Sequence, residues 1–154
     1  MINLENKNII VTGATGGIGQ SIVETLVSLK ANILATGTNE QKLNELKNKY
    51  KNIVVIKQDI SAHNELEKFI NDSCLKFGDK IDVLINNAGI TLEESKSIDE
   101  SLDNFKKVIQ TNLISAYMLT KILLKSKKKT KTIINISSIG GILGFPENPS
   151  YQSS

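Results

Sequence analysis

The amino-acid sequence predicts one α/β domain built on a doubly wound parallel sheet. Three observations carry that expectation. Strand-length apolar runs rich in β-branched residues recur five times, segments of helical periodicity lie between them, and Gly, Asn, Asp or Ser closes each run. Ile9–Val11 is the first run, and Ile18, Ile22, Val23, Leu26 and Val27 follow at helical spacing. Ile33–Ala35 leads to Leu43 and Leu46, and Ile53–Ile56 leads to Leu66, Phe69 and Ile70. After Ile81–Ile85, the segment from about Asp99 to Lys125 carries Leu102, Phe105, Val108, Ile109, Leu113 and Tyr117, which predicts one long, heavily buried helix. Ile133–Ile136 is the fifth strand, and Gly140–Pro149, with both prolines of the chain, reads as a loop.

Composition narrows the function classes. The 154 residues, 40% of them apolar, suit one domain that buries roughly two-thirds of its unfolded surface. A net charge of +3 is too small to argue for nucleic acid, and all 19 basic residues are lysine. The single Cys74 excludes an intramolecular disulfide, no metal-ligand spacing occurs, and no apolar run approaches the roughly 20 residues that span a bilayer. The polar start MINLENKN lacks the apolar core of a secretory signal, so a cytoplasmic, reducing setting is expected. His63 and Cys74 read as surface and packing residues without a functional role.

Ligands of open α/β sheets bind beyond the carboxyl ends of the strands, so the residues there are the ones to inspect. After the first run stands Thr12-Gly13-Ala14-Thr15-Gly16-Gly17-Ile18-Gly19, opening into the first helix. Glycines permit close backbone approach to a diphosphate, whose charge is favoured at a helix N-terminus. A tight turn with glycine kept only for packing is the alternative. The spacing of Gly13, Gly17 and Gly19 matches T-G-x-x-x-G-x-G, and the chain here resembles the short-chain dehydrogenase/reductase family.

Four further segments carry the resemblance in order along the chain. Gln58-Asp59-Ile60 closes the third strand, where the family's aspartate accepts from the adenine amino group; a helix cap ahead of Ser61 is the alternative. Asn86-Asn87-Ala88-Gly89 closes the fourth strand and resembles the family's second signature, in which small residues let the ribose lie against the backbone and the asparagines tie strands together; an ordinary Asn-Gly-type turn is the alternative. Thr111-Asn112 resembles the asparagine that bends the family's long helix and holds a water on the proton path, although a buried asparagine can also be purely structural. Ser138 and Tyr151 stand thirteen residues apart, in register with the family's Ser and Tyr.

The resemblance implies a Rossmann fold, a single dinucleotide-binding domain over residues 1–154, and reduction of a ketone to a secondary alcohol. It assigns Gly13, Thr15, Gly17, Ile18, Gly19, Thr38, Asp59, Ile60, Asn86, Ala88 and Gly89 to the cofactor. It assigns Asn112, Ser138 and Tyr151 to catalysis: Ser138 donates to the substrate carbonyl and Tyr151 passes it a proton as hydride arrives. No acidic residue follows the second strand until Glu40, which permits NADPH, with Thr38 and Lys42 as candidates for its phosphate; NADH is not excluded.

The chain departs from the family pattern after Tyr151. The family's lysine lies four residues beyond the tyrosine, and the sequence read here reaches Ser154. A phenol with an ordinary pKa of about 10 needs such a cation to work near neutrality. The expectation is therefore the cofactor-binding part of a reductase, incomplete at the C-terminal sheet edge and inactive or weak by itself. A fifth strand left unpaired at the edge, with a long helix short of neighbours, also predicts self-association, with a homo-oligomer as the complete form.

The Gly-Ile-Thr after Asn87-Ala88 and the Ile-Asn-Ile-Ser-Ser-Ile-Gly-Gly run resemble the bacterial 3-oxoacyl-acyl-carrier-protein reductases of fatty acid synthesis. Lys125, Lys127, Lys128, Lys129 and Lys131 offer a basic patch for an acidic carrier protein, or simply a solvated helix end. Reduction of another small carbonyl compound and a non-catalytic dinucleotide-binding remnant are the competing readings.

Overall fold

The structure, a computed structural model, describes residues 3–91, 100–126, 132–144 and 146–154. Five strands alternate with helices as the sequence predicts: β1 Asn8–Val11, α1 Gly17–Ser28, β2 Asn32–Gly37, α2 Glu40–Lys49, β3 Val54–Lys57, α3 Leu66–Lys76, β4 Val83–Asn86, α4 Leu102–Ile109, α5 Ser115–Lys125, β5 Thr132–Asn135 and α6 Pro149–Gln152. All strand pairs are parallel, in the order β3-β2-β1-β4-β5. The predicted strand runs lie within a residue or two of the observed ones.

Both sheet faces are covered, and the strand period of two divides the core. Ile10, Leu34 and Leu84, in register across β1, β2 and β4, pack with Leu66, Phe69 and Ile70 of α3 and Leu119 and Leu123 of α5. Ile9, Val11, Ile33, Ala35 and Ile85 point the other way and meet Val23 and Leu26 of α1 and Leu46 of α2. Central strands buried on both faces explain the near-continuous apolar runs. The edge strands differ. β3 is only half-buried, and β5 is largely exposed.

A polar staple closes the opposite ends of the central strands. The Asn8 amide donates to Asp82 Oδ2 at 3.0 Å, Lys80 Nζ lies 2.9 Å from Asp82 Oδ1, and Asn8 Nδ2 donates to the carbonyls of Phe77 and Lys80. Asn32 Nδ2 then donates to Asn8 Oδ1, so the starts of β1, β2 and β4 are joined. Burial pushes the Asp82 carboxyl up, but the Asn8 amide, the Lys80 ammonium and the charge of Lys7 together hold it below the ordinary carboxylate value.

Three expectations need correction. The long helix is interrupted by a π turn at Gln110–Ile114 and is not heavily buried: Val108, Ser115, Leu119 and Leu123 are buried, whereas Leu102, Leu113, Tyr117 and Leu124 are exposed. The sheet covers one side of this apolar helix; Leu113 and Leu124 on the other side are exposed, and Lys121 Nζ lies 5.5 Å from the centre of the Tyr117 ring. The Gly140–Pro149 segment is not all loop, because Ile139–Gly141 forms a 3₁₀ turn and Pro149 opens α6, where its missing N–H costs no bond. His63 is half-buried rather than a surface residue, with Nε2 3.1 Å from Ser115 Oγ and Nδ1 3.1 Å from Gln110 Nε2. Cys74 is a fully buried packing residue, as expected.

Candidate functional site

The strand order reverses between β1 and β4, so the connections leaving these strands run toward opposite edges of the sheet and a crevice opens at the carboxyl ends. A cleft of about 930 Å³ occupies that place. Its wall includes every residue assigned from the sequence: Gly13, Thr15, Gly17, Ile18, Gly19, Thr38, Asp59, Ile60, Asn86, Ala88, Gly89, Asn112, Ser138 and Tyr151. Lys42 is not part of the wall, and its amide is instead capped by Asn39 Oδ1 at 2.9 Å.

The glycine turn is shaped by close backbone contact. Gly13 adopts φ +62°, and a Cβ there would stand 2.7 Å from Ala88 Cα, so the first and fourth strand loops touch. A Cβ on Gly19 would lie 2.2 Å from the Gly13 carbonyl oxygen. Around Gly17 there is open space. Thr12, 1% exposed, holds the junction: its hydroxyl accepts from the amides of Asn87 and Ala88, each at 3.0 Å, and donates to the Ile85 carbonyl. Asn87 Nδ2 completes the tie by donating to the carbonyls of Thr12 and Gly13.

This turn opens α1 without a side-chain cap and without an acidic residue in the first turn. The amides at the front of a twelve-residue helix, carrying the positive end of its dipole, face a cleft with room at Gly17. The residues therefore fit a dinucleotide diphosphate. Asp59 and Ile60 line the cleft beyond β3. Asp59 Oδ1 accepts from the Ser61 amide and hydroxyl, so the capping geometry is present as well. Asn86 works as a strand tie, donating to Asn135 Oδ1 on β5 and to Thr120 Oγ1 on α5.

At the other end of the cleft, Asn112 sits inside the π turn. Its Oδ1 accepts from the Ile90 amide at 2.8 Å, and its Nδ2 donates to the Ile90 carbonyl and to Ser154 Oγ, each at 3.0 Å. In the π turn the Gln110 carbonyl accepts from the Ser115 amide, five residues on, and from Ser115 Oγ at 2.7 Å. Ser138 caps the 3₁₀ turn, accepting from the Gly140 amide. Ser138 Oγ and Tyr151 Cε1 lie 3.5 and 3.8 Å from the point where a Cβ on Gly140 would stand. Thirteen residues apart in sequence, the two side chains flank one glycine in space.

Sequence reasoning missed Lys107, Thr111, Tyr117, Thr120 and Ser154 as wall residues. All but Ser154 lie on the helix that carries Asn112, and their spacing around it could have shown them once that residue was placed. Lys125 lies at the end of α5, whereas Lys127, Lys128, Lys129 and Lys131 of the basic patch fall outside the described residues.

A family model described as short chain dehydrogenase matches residues 7–154. The chain belongs to the short-chain dehydrogenase family. Among its relatives, 3-oxoacyl-acyl-carrier-protein reductase FabG of Rickettsia felis is 35% identical over all of this chain and 63% of its own length. The enzyme of the same name from Vibrio harveyi is 34% identical over 99% of the chain and 63% of its length. A tropinone reductase homolog of Arabidopsis thaliana is 32% identical over 97% of the chain. The crystal structure of a short-chain dehydrogenase/reductase, glucose/ribitol dehydrogenase, from Brucella melitensis superposes with a TM-score of 0.90 at 28% identity, covering 99% of this chain and 66% of that one. The chain thus spans about 63% of the length of the FabG relatives it matches. No helix among the described residues is long and apolar enough to cross a membrane.

Proposed function

We propose that this short-chain dehydrogenase chain supplies the cofactor-binding part and the Ser–Tyr pair of an NADPH-dependent reductase. Its substrate in this reading is a 3-oxoacyl thioester on acyl carrier protein, reduced to the 3-hydroxyacyl thioester in the cytoplasm. The observation that carries the proposal is the single cleft that joins the open, uncapped front of α1 to Ser138 and Tyr151. The bound nicotinamide would supply hydride. Gly13 to Gly19 would hold its diphosphate, and Ala88 and Gly89 would hold its ribose. The Ser138 hydroxyl donates to the substrate carbonyl and stabilises the developing oxyanion. Tyr151 delivers the proton to the same oxygen, and Asn112 fixes the π turn against the Ile90 backbone.

The choice of NADPH rests on charge around β2. Thr38 lines the cleft, while Glu40, the nearest acid after β2, is paired with Lys57 at 3.1 Å and lies outside the wall. The wall thus takes no acid from the β2 loop, and its one described carboxylate, Asp59 beyond β3, accepts from the Ser61 amide and hydroxyl. The exposed Leu113 and Leu124 on the outer face of the long helix support a homo-oligomer as the working form. We also propose that residues 1–154 by themselves bind cofactor but turn over weakly, because Lys107 is the one cation among the described residues of the wall.

Titration of NADPH fluorescence against the chain is the first test. Saturable binding in the micromolar range is expected; a folded chain that leaves millimolar NADPH unbound overturns the proposal. Acetoacetyl thioester reduction by a longer chain that includes the four residues after Tyr151 tests the chemistry. The similarity to a tropinone reductase homolog favours a second reading, a small cyclic ketone as substrate, and a higher kcat/KM for such a ketone than for the thioester would select it.

A further inference from the structure

We propose that Glu100 is a positioning residue for Tyr151, acting through Ser150; the functional consequence rests on the reductase reading above. Ser150 is 2% exposed and stands fifty residues from Glu100, yet both of its donors end on that carboxylate. Its amide donates to Oε2 at 3.1 Å, and its hydroxyl donates to Oε1. Tyr151 is the next residue.

Glu100 fixes the front of α6, where the chain enters through Asn148 in the left-handed region at φ +54° and Pro149 follows it. Glu100 is itself held beside Ser101, whose hydroxyl caps α4 by accepting from the Asn104 amide at 3.2 Å. At the back, Asn112 donates to Ser154 Oγ, which donates to the Tyr151 carbonyl at 2.8 Å.

Tyr151 is therefore gripped from both sides by one helical element, by Glu100 ahead of α4 and by Asn112 in the π turn. Loss of the front grip leaves the phenol free to move relative to Ser138 while the glycine turn and its cofactor contacts stay unchanged. Misplacement of a reacting group by about 1 Å can cost on the order of 100-fold in rate, so the effect belongs to kcat and not to cofactor affinity.

The chain labelled with ¹³Cζ-tyrosine gives three signals, from Tyr50, Tyr117 and Tyr151, and Tyr151→Phe identifies the third. Glu100→Ala is expected to broaden or shift the Tyr151 signal alone and to leave NADPH affinity within about twofold of the parent. Glu100→Gln should restore the parent signal, since its amide oxygen accepts from the Ser150 amide and its NH₂ donates to the Ser150 hydroxyl. Ser150→Ala, which keeps the backbone bond, should fall between them. A Tyr151 signal in Glu100→Ala identical to the parent overturns the proposal. So does a variant in which Tyr50 moves as far as Tyr151 and the melting temperature collapses, because Glu100 then holds the fold as a whole. Failure of the parent chain to bind NADPH removes the reductase reading, while the cofactor-free Tyr151 signal still decides whether Glu100 positions it.

Discussion

Gly17 and Gly19 stand two residues apart and do different work. An alanine methyl at Gly19 collides with the Gly13 carbonyl at 2.2 Å, and backbone cannot yield cheaply, so Gly19→Ala should lower unfolding free energy by about 1–3 kcal/mol in a denaturant titration. At Gly17, the first residue of α1, the same methyl meets open space and costs no steric clash. Gly17→Ala should therefore melt no lower than the parent, yet bind NADPH about tenfold or more weakly because the methyl fills room left for the diphosphate. A fall in both properties at Gly17 would mean that the turn serves packing only. The pair of Ser138 and Tyr151 makes the related point that a residue's role lies in what it faces. Neither is unusual in sequence until Gly140 is seen between them.

At the level of elements, the strands have two ends with separate duties. The carboxyl ends carry the cleft, and the amino ends of β1, β2 and β4 are fastened by Asn8, Asn32 and Asp82. Because the folded chain holds Asp82's pKa below its unfolded value, the carboxylate adds stability above the ordinary value of about 4, and that contribution disappears as pH falls through the lowered folded value. Thermal melts should show stability dropping below about pH 4, with Asp82→Asn flatter over that window and about 1–3 kcal/mol less stable at neutrality. An unchanged acid profile in that variant would remove Asp82 from the account. The long helix is the element read least well. Its apolar residues predict burial, but they cannot say which side the sheet takes, and the π turn depends on Asn112 and Ser115 finding Ile90 and Gln110 partners.

For the molecule as a whole, the decisive feature is the reversal of strand order that brings loops from β1 and β4 into contact and leaves a cleft beside them. NADPH at about 100 times its Kd should stabilise the folded chain by roughly 2.7 kcal/mol, visible as a melting shift of several degrees. The exposed stripe on the long helix belongs to the same scale. Leu113→Lys with Leu124→Lys should reduce the molar mass measured by light scattering on a sizing column, if the stripe pairs two copies as proposed. A parent chain that elutes as a monomer at high concentration would refute that pairing.

The strands, their parallel pairing and the glycine turn were legible from the sequence because each has a local cause. Burial on both faces demands continuous β-branched runs, and close backbone approach demands glycine at fixed spacing. The cleft residues followed from a family pattern that spans five segments, with the alternatives at Asp59 and Asn112 left open. Tertiary structure alone decided the rest. The union of Asn87 with the glycine turn, the engagement of His63 with the π turn, the outward face of the long helix and the hold of Glu100 on Ser150 all join residues far apart in the chain. Hydrogen-bond partners and solvent exposure at such sites are set by which elements the fold brings together, and local pattern carries no record of that.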